Sequence, residues 1–67
     1  MKRVLVRGEG AVGVAALHRL RAEGVEVRVE APTGDYLHEV AGALGVLAVE
    51  GEAFDEVLVA EGPWPAG

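Results

Sequence analysis

The chain has 67 residues, a formal net charge of -5 and no cysteine, which excludes disulfides, thiolate catalysis and cysteine metal sites. The acidic balance disfavours nucleic acid and anionic membranes, both of which attract basic surfaces. So short a chain suits one small domain that buries only about 60% of its unfolded surface, and a partner that covers more makes a homodimer the expected state.

Met1-Lys2-Arg3 is followed by only three apolar residues before Arg7, too short a run for a signal-peptide core or a membrane span, so a cytoplasmic protein is expected. Asn, Gln, Ser and Ile are absent and Arg outnumbers Lys, a bias compatible with a heat-adapted (thermophile), GC-rich source. Val4, Leu5 and Val6 read as a first strand running into Gly8-Glu9-Gly10-Ala11-Val12-Gly13. This is a Gly-x-Gly-x-x-Gly turn of the kind that opens a dinucleotide-binding βαβ unit. Its first glycine permits a tight turn, its second lets backbone approach a pyrophosphate, and its third lets the helix pack closely on the strand.

A helix is predicted from Ala11 to Glu23, with Gly13, Ala16, Leu17 and Leu20 on one face and His18, Arg19 and Ala22 pointing away, ended by Gly24. The second strand, Val25 to Glu30, alternates Val25, Val27 and Val29 with Glu26, Arg28 and Glu30, so one of its faces is wet. After Ala31-Pro32, Thr33 or Asp35 caps a second helix to about Leu44 that buries Leu37, Val40, Ala41 and Leu44 and stops at Gly45. Val46 to Val49 and Val57 to Val59 read as third and fourth strands, separated by a loop around Gly51 and Phe54. The expectation is one α/β domain over residues 1–62, of βαβαββ order, with a Pro/Trp tail at 63–67. Right-handed crossovers between three parallel strands put both helices on one face. Arg3 and Arg7 then share the open face with Glu26, Arg28 and Glu30, in position for cross-strand charge pairs.

Two stretches carry a family resemblance. The glycine turn, with Ala15-Ala16, Leu20, Gly24 and Val27-Arg28-Val29-Glu30, resembles the first βαβ unit of pyridine nucleotide-disulfide oxidoreductases, the flavoprotein group that includes thioredoxin reductases. Phe54-Asp55-Glu56-Val57-Leu58-Val59-Ala60-Glu61-Gly62-Pro63-Trp64-Pro65 is similar to a later strand of the same Rossmann domain. The resemblance implies a Rossmann-like parallel sheet of order 3-2-1-4, with the last strand beside the first. The link from Glu50 to Glu56 then spans at most about 25 Å when extended. A hairpin of the third and fourth strands, order 4-3-2-1 with Gly51 in its turn, is the structural alternative.

The implied cofactor is NAD(P) or FAD, held through its ADP portion by Gly8, Glu9, Gly10, Ala11, Val12, Gly13, Glu30, Ala31 and Gly62. The chain departs from the family where its ribose-binding acid would stand, because Ala31 occupies that position and Glu30 lies one residue earlier. Glu9 and Glu61 bring carboxylates to the phosphate site, and Arg7 offsets one of them. The family's redox centre and second nucleotide domain have no room, so the module is expected to be non-catalytic.

The remaining candidates carry weaker signals. His18 and His38 have no neighbour at metal-ligand spacing and read as solvated. Glu9, Glu30 and Glu61 offer oxygen ligands for a hard cation at the strand ends, and Tyr36 and Trp64 offer rings that stack on an adenine or cover apolar surface. Two further readings follow from the same residues. The chain is a degenerate interaction module that has lost its ligand, or a subunit of a split oxidoreductase with a larger flavoprotein partner.

Overall fold

The computed structural model describes residues 2–60. Their order is β1 (Arg3–Gly8), α1 (Gly10–Ala22), β2 (Glu26–Glu30), α2 (Tyr36–Leu44) and β3 (Glu56–Ala60). Together they form a small α/β domain with a three-stranded parallel sheet in the order β2-β1-β3. The tail, with Gly62 and Trp64, lies outside the described residues.

The alternation of β1 sorts its side chains between two environments. Val4 and Val6 stand opposite Val27 and Val29 on the helix-bearing face, whereas Arg3 and Arg7 stand opposite Glu26 and Glu30 on the other. Val6, Val27 and Val29 join Val14 and Leu17 of α1, Leu37 and Ala41 of α2, and Ala60 of β3 in one buried core. Both helices pack on β2 and against each other, so they share one face of the sheet. Val40 is only half-buried and Leu44 is exposed, which narrows the expected apolar stripe of α2 to Leu37 and Ala41. Each helix ends on a glycine in the left-handed region, Gly24 and Gly45. In both cases the next residue donates back across the last turn, Val25 to Leu20 and Val46 to Ala41.

The expected third strand does not form. Val46–Val49 contributes one isolated parallel bridge, Leu47 to Val29, made by Val29 N–H to Val46 O and Ala48 N–H to Val29 O, each 2.8 Å. The Val46 amide, which would continue the ladder toward β2, instead caps α2 by donating to Ala41 O. The Val49 amide, which faces away from β2, donates to Glu52 Oε1 at 2.8 Å. The hairpin alternative is also corrected: Glu56–Ala60 lies parallel to β1, with Leu5 opposite Val57 and Gly8 opposite Ala60.

Between the bridge and β3 the chain crosses the face that carries no helix. There Arg3 donates to Ala53 O at 2.9 Å and stacks over the Phe54 ring, 5.4 Å from its centroid. Two cross-strand pairs expected on this face are present, Arg3 with Glu26 at 3.1 Å and Arg7 with Glu30 at 3.2 Å. The sequence reading missed Glu52. Its carboxylate joins Arg3 at 2.6 Å and Arg28 at 3.4 Å, fastening the crossing link to both strands.

The Val49 amide, together with the Arg3 and Arg28 guanidiniums, holds the Glu52 carboxyl below its ordinary value. A carboxyl depressed in the folded state stabilises the fold above its unfolded pKa, and that contribution disappears as pH falls through the folded value. Glu52→Gln is therefore expected to flatten the acid side of the stability profile. Urea unfolding of both proteins, from neutral pH down through the carboxylate range, measures the difference; parallel profiles would remove Glu52 from the acid response.

Candidate functional site

The carboxyl ends of the strands and the amino ends of both helices meet at one edge of the domain. Gly8 closes β1 and Glu9 turns the chain in extended backbone, φ -159 and ψ 161, into α1. Gly8 is buried, and a Cβ there would run into the carbonyl of Ala60 on β3. Glycine is therefore required at this position for strand packing, whether or not a ligand is bound.

Gly10 differs. Its φ is +66, and a Cβ built on it meets nothing within 4 Å. The position demands glycine through its backbone conformation, while the space beside it is open. Gly13 departs from the expected role, because its missing Cβ makes room for Leu37 of α2 rather than for a strand. The third glycine of the turn thus sets helix–helix contact. Ala11 is exposed and Val12 is half-buried on the first turn of α1.

A cleft of about 340 Å³ lies beside this turn, lined by Arg7, Gly8, Glu9, Glu30, Ala31 and Pro32. It brings together five of the residues singled out in the sequence, Arg7, Gly8, Glu9, Glu30 and Ala31, and adds Pro32. The fourth-strand candidate Gly62, and Glu61 with it, lie outside the described residues. Glu30 is exposed and paired with Arg7, so the one basic side chain at the cleft already has an acidic partner.

Asp35, one of two cap candidates in the sequence, is the N-cap of α2 and a part of the site that sequence reasoning missed. Its Oδ2 accepts from Leu37 N–H at 2.8 Å, the N-cap bond of α2, and also from Gly10 N–H at 2.8 Å. One carboxylate oxygen thereby joins the amino ends of both helices, where partial positive charge favours an anion. The signal was in the topology rather than in any motif. Two helices that follow adjacent parallel strands start side by side, so the cap of the second stands near the glycine turn of the first. Glu9, at the N-cap of α1, makes no side-chain cap bond.

The other candidates are dispersed. His18 is exposed on α1, His38 is half-buried on α2 and Tyr36 is exposed. Among the described residues no three His, Asp or Glu side chains gather at metal-binding distance, and no helix is long and apolar enough to cross a membrane.

The arrangement offers open space at the second glycine, a cleft at the strand ends in which Arg7, Glu9 and Glu30 stand among Gly8, Ala31 and Pro32, and a carboxylate, Asp35, that accepts from the Gly10 and Leu37 amides. No protein-family model, no curated protein and no solved structure matches this chain.

Proposed function

We propose that the chain is a non-catalytic, Rossmann-like module that binds the ADP portion of NAD(P) or FAD at the glycine turn. The observation that carries this reading is the open space over Gly10 at the carboxyl end of the central strand, beside the cleft that reaches Glu30 and Ala31. In parallel sheets, ligands sit where the strand order reverses, and here β2 and β3 lie on opposite sides of β1. Small-molecule clefts commonly enclose about 300–1,000 Å³, so this one suits part of a dinucleotide rather than the whole.

A second reading, an interaction module that has lost its nucleotide, is favoured by Asp35. Its carboxylate uses the Gly10 amide that a pyrophosphate would need, and Glu9 adds a second negative charge nearby. The split-oxidoreductase version of this reading adds a larger flavoprotein partner.

Calorimetric unfolding of the full chain with NAD, NADH, NADP, FAD and ADP separates the two. A ligand at 100 times its dissociation constant adds about 2.7 kcal/mol of stability, a large shift for so small a domain. Stabilisation by a nucleotide, lost in Gly10→Glu, is the expected result. Silence across the whole panel would overturn the dinucleotide reading in favour of the interaction module.

A further inference from the structure

Three of the six large apolar side chains exposed among the described residues, Val49, Val57 and Val59, gather on the sheet face without helices. They are 66%, 49% and 58% exposed, more than chance packing of a small core explains for neighbours on one face. Val57 stands opposite Leu5 and Val59 opposite Arg7. Beside them the crossing link leaves a hollow of about 550 Å³, whose apolar lining includes Leu5, Ala48, Val49, Phe54 and Val57. Its charged lining is Arg7 against Glu30, Glu50 and Glu52. With three carboxylates and one guanidinium, the hollow suits an apolar occupant that brings a hydrogen-bond donor and no negative charge.

The chain itself supplies such a group. β3 ends at Ala60, opposite Gly8, and the sequence continues as Glu61-Gly62-Pro63-Trp64-Pro65. Trp64 is the only tryptophan, and its indole N–H donates and cannot accept. The stretch from Gly62 to Pro65 carries no side-chain charge. Along the strand, Val57 lies about 10 Å behind Ala60. The chain from Ala60 to Trp64 spans up to about 13 Å, so the ring can be brought back to Val59 and to the hollow beside Val57. Gly62 permits the reversal of direction that this needs, and the prolines on both sides of Trp64 limit the freedom lost when its ring is fixed. Tethering separates this occupant from any other. A short link presents it at an effective concentration of about millimolar. A second copy must reach that concentration in free solution and brings its own net charge of -5 to an acidic hollow.

We propose that Trp64 docks on this face of its own domain, its ring laid over Val59 and seated among Leu5, Val49 and Val57. An aromatic side chain buries about 150–250 Å² in such a site, and that burial supplies the attraction. The Arg7 guanidinium, opposite Val59, offers the ring a cation–π contact, and the carboxylates of Glu30 and Glu50 offer acceptors for the indole N–H. β3 is an edge strand, and the docked segment gives its exposed valines the cover that keeps such strands from pairing with another chain. The contact needs no nucleotide and is independent of the dinucleotide reading.

Fluorescence of the full chain without nucleotide tests it, because all tryptophan emission comes from Trp64. Wild type is expected to emit as a buried indole at every protein concentration. Acrylamide should quench it several-fold more slowly than it quenches Val59→Glu or Val49→Glu, in which a carboxylate replaces part of the apolar seat. Val49 lies outside the helices and strands, so that variant keeps its fold, which circular dichroism checks for both. Ala15→Glu, on the exposed side of α1, should leave the emission unchanged. A tryptophan that emits as a solvated ring in wild type would overturn the proposal. So would burial that grows with protein concentration, which seats the indole on another copy. Burial indifferent to both glutamates on the face would overturn it too, since the ring would then lie elsewhere on the chain.

Discussion

Gly8→Ala is expected to destabilise the domain by about 3 kcal/mol or more, at the upper end of what overpacking by one methyl group costs. The added Cβ would collide with the Ala60 carbonyl, and the atom in its way is backbone, which cannot swing aside as a side-chain tip does. That carbonyl also accepts from Glu9 N–H at 3.3 Å, so moving β3 outward breaks the bond that ties its end to the glycine turn. A domain of this size has a total stability of roughly 3–10 kcal/mol, and one such clash consumes a large part of it. Urea unfolding measures the loss, and amide exchange at Val57–Ala60 should show β3 released before the core. A variant within about 0.5 kcal/mol of wild type would mean that the strands separate there without strain.

Leu37→Ala should be comparably severe, costing about 2–5 kcal/mol through the lost burial and the cavity left behind. Leu37 is fully buried, and its Cδ2 occupies the space that the absent side chain of Gly13 leaves open. The two positions should therefore be coupled. Gly13→Ala alone forces Leu37 to shift and is destabilising, whereas in the Leu37→Ala background the same methyl group enters vacated space and its penalty should largely vanish. A double-mutant cycle in urea reads that coupling directly. Additive effects would show that Gly13 is required for some reason other than Leu37.

These two predictions divide the glycine turn into parts that the sequence motif treats as one. Gly8 and Gly13 are explained by packing against Ala60 and Leu37, so their presence would be needed in a domain with no ligand at all. Of the three turn glycines only Gly10 adjoins open space, and the case for a bound nucleotide therefore rests on it and on the neighbouring cleft. The occupation of its amide by Asp35 is the strongest argument on the other side.

Much of the architecture was legible because it depends on local, periodic signals. The alternation of Val27 and Val29 with Glu26, Arg28 and Glu30 implied a strand with one wet face, and Arg3–Glu26 and Arg7–Glu30 pair across it as that pattern requires. Both helix ends were marked by glycine, and Asp35 was one of two candidate caps for α2. Val46–Val49 misled because an apolar β-branched run carries no information about whether its amides are free. Here the cap of α2 claims the Val46 amide that would extend the ladder with β2.

The sequence by itself determined the α/β class, the glycine turn between β1 and α1, and the charged face of the sheet, since each follows from backbone preference and the spacing of side chains along one element. Tertiary structure decided the rest. It chose the last strand's place beside β1, one of the two the sequence had offered, laid the Glu52–Phe54 link across the open face, set Leu37 against Gly13 and brought Asp35 onto the Gly10 amide. These contacts join residues distant in the chain, and their geometry depends on how the elements pack rather than on the residues of any one element.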